Sequence, residues 1–259
     1  MMRIMATAVA GPRVRVLGSR FAVQVTDPAL AAELTRLLTP FADPAPDGGP
    51  AWPVAAPAHT SAADALPAVL AEINTTALAE ADLFAVHAGA VARGDRVVAM
   101  PAVSGTGKST LTAACLRAGL DYVSDEALCL DWDTGLVSPY PRPIALSPWS
   151  AAAVGLPAPA DEVAEMLLTA QDLGAVTATP PLTAAHVVLL ERGDGGPRLE
   201  PVSRGDAVAE LLRRAFTSWR RPERAFALVH EVVGRAGTWR LTLGDPTASA
   251  KAISGLLEG

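Results

Sequence analysis

The sequence predicts an α/β fold preceded by a small α+β lobe. Two observations carry this. From Arg96 to Gly119 an apolar strand, a glycine loop and a helix-spaced run follow one another directly. The chain is also long and apolar enough for one large domain plus an appendage, at 259 residues with 50% hydrophobic and 19% charged side chains.

Within that unit, Arg96-Val97-Val98-Ala99-Met100 reads as a buried strand. Leu111, Ala114, Cys115 and Ala118 recur at helical spacing, and Gly119 is placed to stop the helix. Between them, Ala102-Val103-Ser104-Gly105-Thr106-Gly107-Lys108-Ser109 gives A-x-x-x-x-G-K-S. This is the phosphate-loop pattern with Ala at its first glycine. Gly105 and Gly107 permit backbone angles that turn successive N–H groups onto an anion. Lys108 is suited to the outer phosphates, the Ser109 hydroxyl to Mg²⁺, and the helix N-terminus adds positive potential. Ser104, Gly105, Thr106, Gly107, Lys108, Ser109 and Thr110 are therefore the nucleotide-binding candidates, and ATP with Mg²⁺ the expected ligand.

Before this unit, Arg13–Val16 and Phe21–Val25 alternate as two strands turning at Gly18-Ser19. Asp27 and Pro28 open a helix with Leu30, Leu34, Leu37 and Leu38 on one face. Residues 39–57 are rich in Pro, Gly and Ala and read as a loop. Residues 64–81 form a second helix. Residues 1–82 hold no cluster of catalytic residue types and are assigned to the small lobe, with 83–259 as the nucleotide domain.

Phe84-Ala85-Val86-His87-Ala88-Gly89-Ala90-Val91 is an apolar strand interrupted by His87 and Gly89. Beyond the phosphate-loop helix, Tyr122-Val123-Ser124 ends in Asp125-Glu126. In open α/β sheets ligands gather at the carboxyl ends of strands, which returns this acidic pair to the phosphate loop. Asp133-Thr134-Gly135 joins a hairpin, with Asp131 and Asp133 as turn residues. Pro139-Tyr140-Pro141-Arg142-Pro143 is a stiff loop presenting one cation. Residues 163–173 read as a helix and 174–183 as a mobile loop. His186–Leu190 is a strand ending at Glu191-Arg192. Asp206–Trp219 is an amphipathic helix with Val208, Leu211, Leu212, Ala215, Phe216 and Trp219 inward. Arg213, Arg214, Arg220, Arg221 and Arg224 form a basic cluster, read as a solvated face or a dock for an acidic substrate or partner. Thr238–Leu243 is a strand, and Asp245-Pro246 opens the last helix.

His87-Ala88-Gly89, the loop at 102–109 and Asp125-Glu126 together resemble the nucleotide domain of HPr kinase/phosphorylase. The run Tyr122-Val123-Ser124-Asp125-Glu126, followed by Pro139-Tyr140-Pro141-Arg142-Pro143, is similar to HPr-kinase-related proteins. The likeness covers residues 84–146. It implies a phosphoenolpyruvate-carboxykinase-like P-loop domain that transfers phosphate from ATP to a hydroxyl. It further implies Asp125 as the base, Glu126 as the metal-side acid with Ser109, and His87 as the group that orients Glu126. Glu126 stands where that enzyme family usually has Asp, and its HPr-handling loop signature is absent.

The chemistry needs the same parts without the family. Phosphoryl transfer requires neutralisation of the phosphate charge and a base for the incoming hydroxyl. The catalytic candidates are Lys108, Asp125 and His87; the metal candidates are Ser109 and Glu126. Arg142 and Arg192 are candidates for substrate or phosphate contact. The expected acceptor is a Ser or Thr of a peptide or protein. A small hydroxylated metabolite is the alternative, as is a non-catalytic nucleotide switch. The formal charge of −6 argues against nucleic acid and anionic membrane. Cys115 and Cys129 suit reduced core thiols. No apolar run approaches the roughly 18 residues of a membrane span, and Met1–Ala10 only loosely mimics a signal peptide. A cytoplasmic protein, with a homo-oligomer allowed, is expected.

Overall fold

The computed structural model describes residues 9–45, 49–56, 62–157, 165–193 and 195–258, with the side chains of Ala62 and Ala63 excepted. It divides into two compact units, one ending at Ala81 and the other beginning at Asp82.

In the first unit, strands β1 (Val9–Val16) and β2 (Ser19–Val25) pair antiparallel. The turn falls at Leu17-Gly18, one residue earlier than read from sequence, with φ of 47° and 93° at the two positions. Such a pair matches the right-handed strand twist, and only glycine takes it without strain. Helix α1 (Pro28–Leu37) starts as expected, Asp27 Oδ1 accepting from Ala29 N at 2.8 Å. The segment 39–57 is not all loop. It holds a 3₁₀ turn at Thr39–Phe41 and strand β3 (Trp52–Ala55), which pairs parallel with β2. Pro53 hid the strand, being tolerated because β3 lies on the edge. Helix α2 (Ala62–Glu80) closes the unit.

The second unit is mixed α/β around a mixed eight-stranded sheet. In chain order it contains β4 (Phe84–Arg93), β5 (Arg96–Pro101), α3 (Lys108–Arg117), β6 (Asp121–Ser124), β7 (Ala127–Leu130), β8 (Val137–Ser138), β9 (Ile144–Leu146) and α4 (Pro148–Ala153). Then follow β10 (Met166–Leu168), β11 (Thr183–Arg192), β12 (Arg198–Pro201), α5 (Arg204–Arg213), α6 (Pro222–Arg235), β13 (Gly237–Leu243) and α7 (Pro246–Gly255). The sheet runs β12-β13-β11-β5-β4-β7-β8, with β6 also paired to β4. β5, β11 and β13 are parallel neighbours, while β4 runs antiparallel to β5, β6 and β7.

Both sheet faces are covered, which explains why the strands are nearly continuous apolar runs. Alternate residues of β4 and β5 separate into two cores. Phe84, Val86, Ala88, Val97 and Ala99 pack with Leu211 of α5 and Leu228 and Val229 of α6. Val91, Val98 and Met100 pack with Leu111 and Leu116 of α3 and Ile253 of α7.

Three further readings need correction. Residues 166–173 are not helical: β10 pairs antiparallel with β9, and Gln171–Leu173 is a 3₁₀ turn. The apolar triplet Met166-Leu167-Leu168 suits either period, and a partner strand decided it; residues 163–164 lie outside the described residues. Residues 176–178 are tied to β6 by Tyr122 N to Val176 O (2.8 Å) and Ala178 N to Tyr122 O (2.9 Å), and Leu182 is fully buried. The helix read to Trp219 stops at Arg213. Ala215 instead bridges Val86, with Phe216 N donating to Ala85 O at 2.8 Å, and Trp219 is 74% exposed. Helix α6 has no counterpart in the sequence reading, although Ala225, Leu228, Val229, Val232 and Val233 mark one face. Among the described residues, no helix is long and apolar enough to cross a membrane.

Candidate functional site

The site is assembled at the carboxyl ends of β5 and β6. Because β4 is antiparallel to both, those two strands point the same way and end at one edge. Register fixes the rest: Ala90 faces Ala99 of β5 and Ser124 of β6, so the phosphate loop and the acidic pair flank the same stretch of β4.

Gly105 and Gly107 hold φ of 79° and 112°, the left-handed angles the loop pattern demands. Gly107 is the N-cap of α3 and supplies no side-chain cap, which leaves the first helix N–H groups available to an anion. Lys108 is 7% exposed. Arg192, at the end of β11, donates to the carbonyl oxygens of Gly105 and Thr106, the latter at 3.3 Å from Nε. It therefore braces the loop from outside.

Asp125 is 8% exposed, and its Oδ1 has no hydrogen-bond partner. Burial pushes its carboxyl up to about 6, opposed by the Lys108 charge, a hydrogen bond from Ser109 and the Arg142 charge. Glu126 is differently placed. Its Oε2 accepts from Arg142 Nη1 at 2.8 Å, and its Oε1 lies 3.7 Å from His87 Nδ1. His87 Nδ1 is also 3.0 Å from the Glu126 carbonyl oxygen, which assigns the proton to that nitrogen. Burial and then the Lys108 charge lower the His87 pKa, keeping the ring neutral. The stiff proline loop is pinned by Tyr122 Oη donating to Arg142 O at 2.8 Å, so Arg142 reaches Glu126 from a fixed base.

Lys108, Ser109, Asp125, Glu126, His87 and Arg142 thus converge, and Arg192 joins from the loop's far side. Sequence reasoning missed two positions. Ser124 Oγ accepts from Glu126 N (3.2 Å) and Ala127 N (3.0 Å), shaping the turn that presents both acids. A Cβ on Gly89 would lie 2.7 Å from Thr112 Oγ1 and 3.0 Å from Lys108 Cγ, so this glycine makes room for the lysine. A glycine inside an apolar strand was the available signal.

The donors suit Mg²⁺ only in company with phosphate. Among the described residues, no group of three or more His, Cys, Asp or Glu could hold a metal alone. Magnesium in phosphoryl-transfer sites takes one or two protein oxygens and completes its shell with phosphates and water. The Ser109 hydroxyl with a carboxylate of the pair meets that need.

Elsewhere, four arginines of the basic cluster pair with acids. Arg213 and Arg214 meet Glu210, Arg221 meets Asp82, and Arg224 meets Glu231. Asp131 Oδ1 accepts from Asp133 N and Thr134 N, a turn role. Cys115 and Cys129 are buried free thiols, held protonated by desolvation. No protein-family model matches the chain, and no curated protein matches it.

Proposed function

We propose that the chain is an ATP-dependent phosphotransferase of the HPr-kinase-related type, with a phosphoenolpyruvate-carboxykinase-like domain at residues 83–259. Its acceptor is a hydroxyl, that of a Ser or Thr in a peptide or protein. The observation that supports this most is the placing of Lys108 near Asp125, close enough for its charge to act on the carboxyl. Both are buried beside a loop of phosphate-binding geometry, and one oxygen of the acid has no partner.

MgATP, when bound, supplies the phosphoryl group to be transferred. Lys108, the loop amides and the α3 N-terminus neutralise the phosphate charge. Asp125 takes the proton from the acceptor hydroxyl, and burial has already raised its basicity toward neutral pH. Glu126 is held by Arg142 and faces the His87 ring, which together orient its carboxylate, and it serves as the metal-side acid with Ser109. A carboxylate is needed for this proton; mere nucleotide binding needs none.

Asp125→Asn keeps the volume and removes the proton acceptor. Transfer from γ-labelled ATP to Ser/Thr peptides should fall by about 10²-fold or more, with ATP affinity nearly unchanged. The Ser109 hydroxyl acts to lower the Asp125 pKa, and this nearness favours one variation, in which Asp125 holds the metal and Glu126 takes the proton. The same mutant separates them, because Mg²⁺-dependent ATP affinity would then fall too. Wild type that binds ATP and phosphorylates no hydroxyl would defeat the kinase reading.

A further inference from the structure

A cavity of about 470 Å³ opens beside the phosphate loop. Thr106 and Thr110 form one side, Leu243 and Pro246 another, Leu111 contributes apolar surface, and Trp149 of α4 stands at its edge. None of His87, Asp125, Glu126 or Arg142 lines it. The loop therefore borders both the catalytic groups and this hollow, as a triphosphate bridging the two would require. The volume falls within the range of about 300–1,000 Å³ typical of small-molecule sites.

Trp149 is 73% exposed although it borders a cavity, which leaves most of a large indole to be covered. It is not loosely held. The Ser147 hydroxyl caps α4 by accepting from Ser150 N at 3.1 Å, and Thr110 Oγ1 of α3 donates to Ser150 Oγ at 2.9 Å. That contact ties the tryptophan's helix to the helix that carries the phosphate loop. The polar side chains of the lining each already make a hydrogen bond within the protein. Thr106 Oγ1 donates to Val103 O, Ser249 Oγ accepts from Gly244 N, and Arg192 is spent on the loop carbonyls.

We infer that this cavity takes the nucleoside half of a purine nucleoside triphosphate, with Trp149 stacking on the base. The inference rests on the nucleotide reading above. With the polar side chains engaged, the base is recognised by its face more than by its edges. Adenine and guanine are then bound alike, and pyrimidines lose through their smaller stacking area.

The test is calorimetry on the full chain with Mg²⁺, using ATP, GTP, UTP and inorganic tripolyphosphate, for wild type, Trp149→Ala and Trp149→Phe. Wild type should bind ATP and GTP alike and both more tightly than UTP. Trp149→Ala should lose about tenfold or more in ATP affinity and nothing for tripolyphosphate, while Trp149→Phe recovers most of the loss. Unchanged ATP affinity in Trp149→Ala overturns the inference, and so does a parallel loss for tripolyphosphate, which would mark a damaged loop. Wild type binding tripolyphosphate as tightly as ATP removes the base site and leaves the phosphate loop standing. Wild type binding neither removes both.

Discussion

Asp125 carries a cost that its own folding does not need. Burial holds its carboxyl at about 6 against an ordinary 3.8, so the folded chain binds this proton more tightly than the unfolded chain does. The resulting contribution to stability is present in full below about pH 4 and is lost as the pH rises through about 6. Asparagine has no such titration. Without nucleotide or metal, Asp125→Asn should therefore gain on wild type between about pH 4 and pH 8, by about 2–3 kcal/mol at most. Urea unfolding of both proteins at the two pH values measures this. Parallel stabilities across that range would mean that Asp125 is solvated. A variant that is more stable yet slower in transfer is what a strained functional group produces. His87 differs in kind. Desolvation and Lys108 lower its pKa, so it acts as a neutral donor to the Glu126 carbonyl, a role that strand periodicity could not reveal.

At the scale of elements, the strand and helix at the site approach unusually closely. Gly89 of β4 lies under Lys108 and Thr112 of α3, and any Cβ there meets the Thr112 hydroxyl. Gly89→Ala should cost about 1–3 kcal/mol by overpacking and weaken nucleotide binding by shifting Lys108. Thr112 Oγ1 is buried without a hydrogen-bond partner, so removing it sacrifices little. Adding Thr112→Ala to Gly89→Ala should restore about 1 kcal/mol or more, read from thermal unfolding in a double-mutant cycle. Strictly additive losses would show that the two side chains do not compete for space. The loop itself was legible because its requirements are contiguous: two glycines, a lysine, a hydroxyl and a helix start. The ends of α5 and the strand β10 were not. Phe216 and Met166–Leu168 fit a helical period as well as an extended one, and hydrogen bonds to Ala85 and to β9 settled them.

Across the whole molecule, every group assigned to the site belongs to the unit that begins at Asp82. Hydrogen exchange with and without MgATP should show protection rising at residues 102–110, 125–126 and 243–249, with no change in β1 to β3. Protection spreading into the first unit would require a site shared by both. The sequence by itself determined the parts whose physics is local. These are the phosphate loop, the caps at Asp27 and Asp245, the apolar strands covered on both faces, and an acidic pair at a strand end. Only the tertiary structure decided that Lys108 lies near Asp125, that Arg142 is committed to Glu126, that Arg192 braces the loop, and that Trp149 borders a hollow beside it. Each of these joins residues from separate elements. Such contacts depend on strand register and helix packing, and a side chain's neighbours in sequence carry no record of which partner that packing will bring.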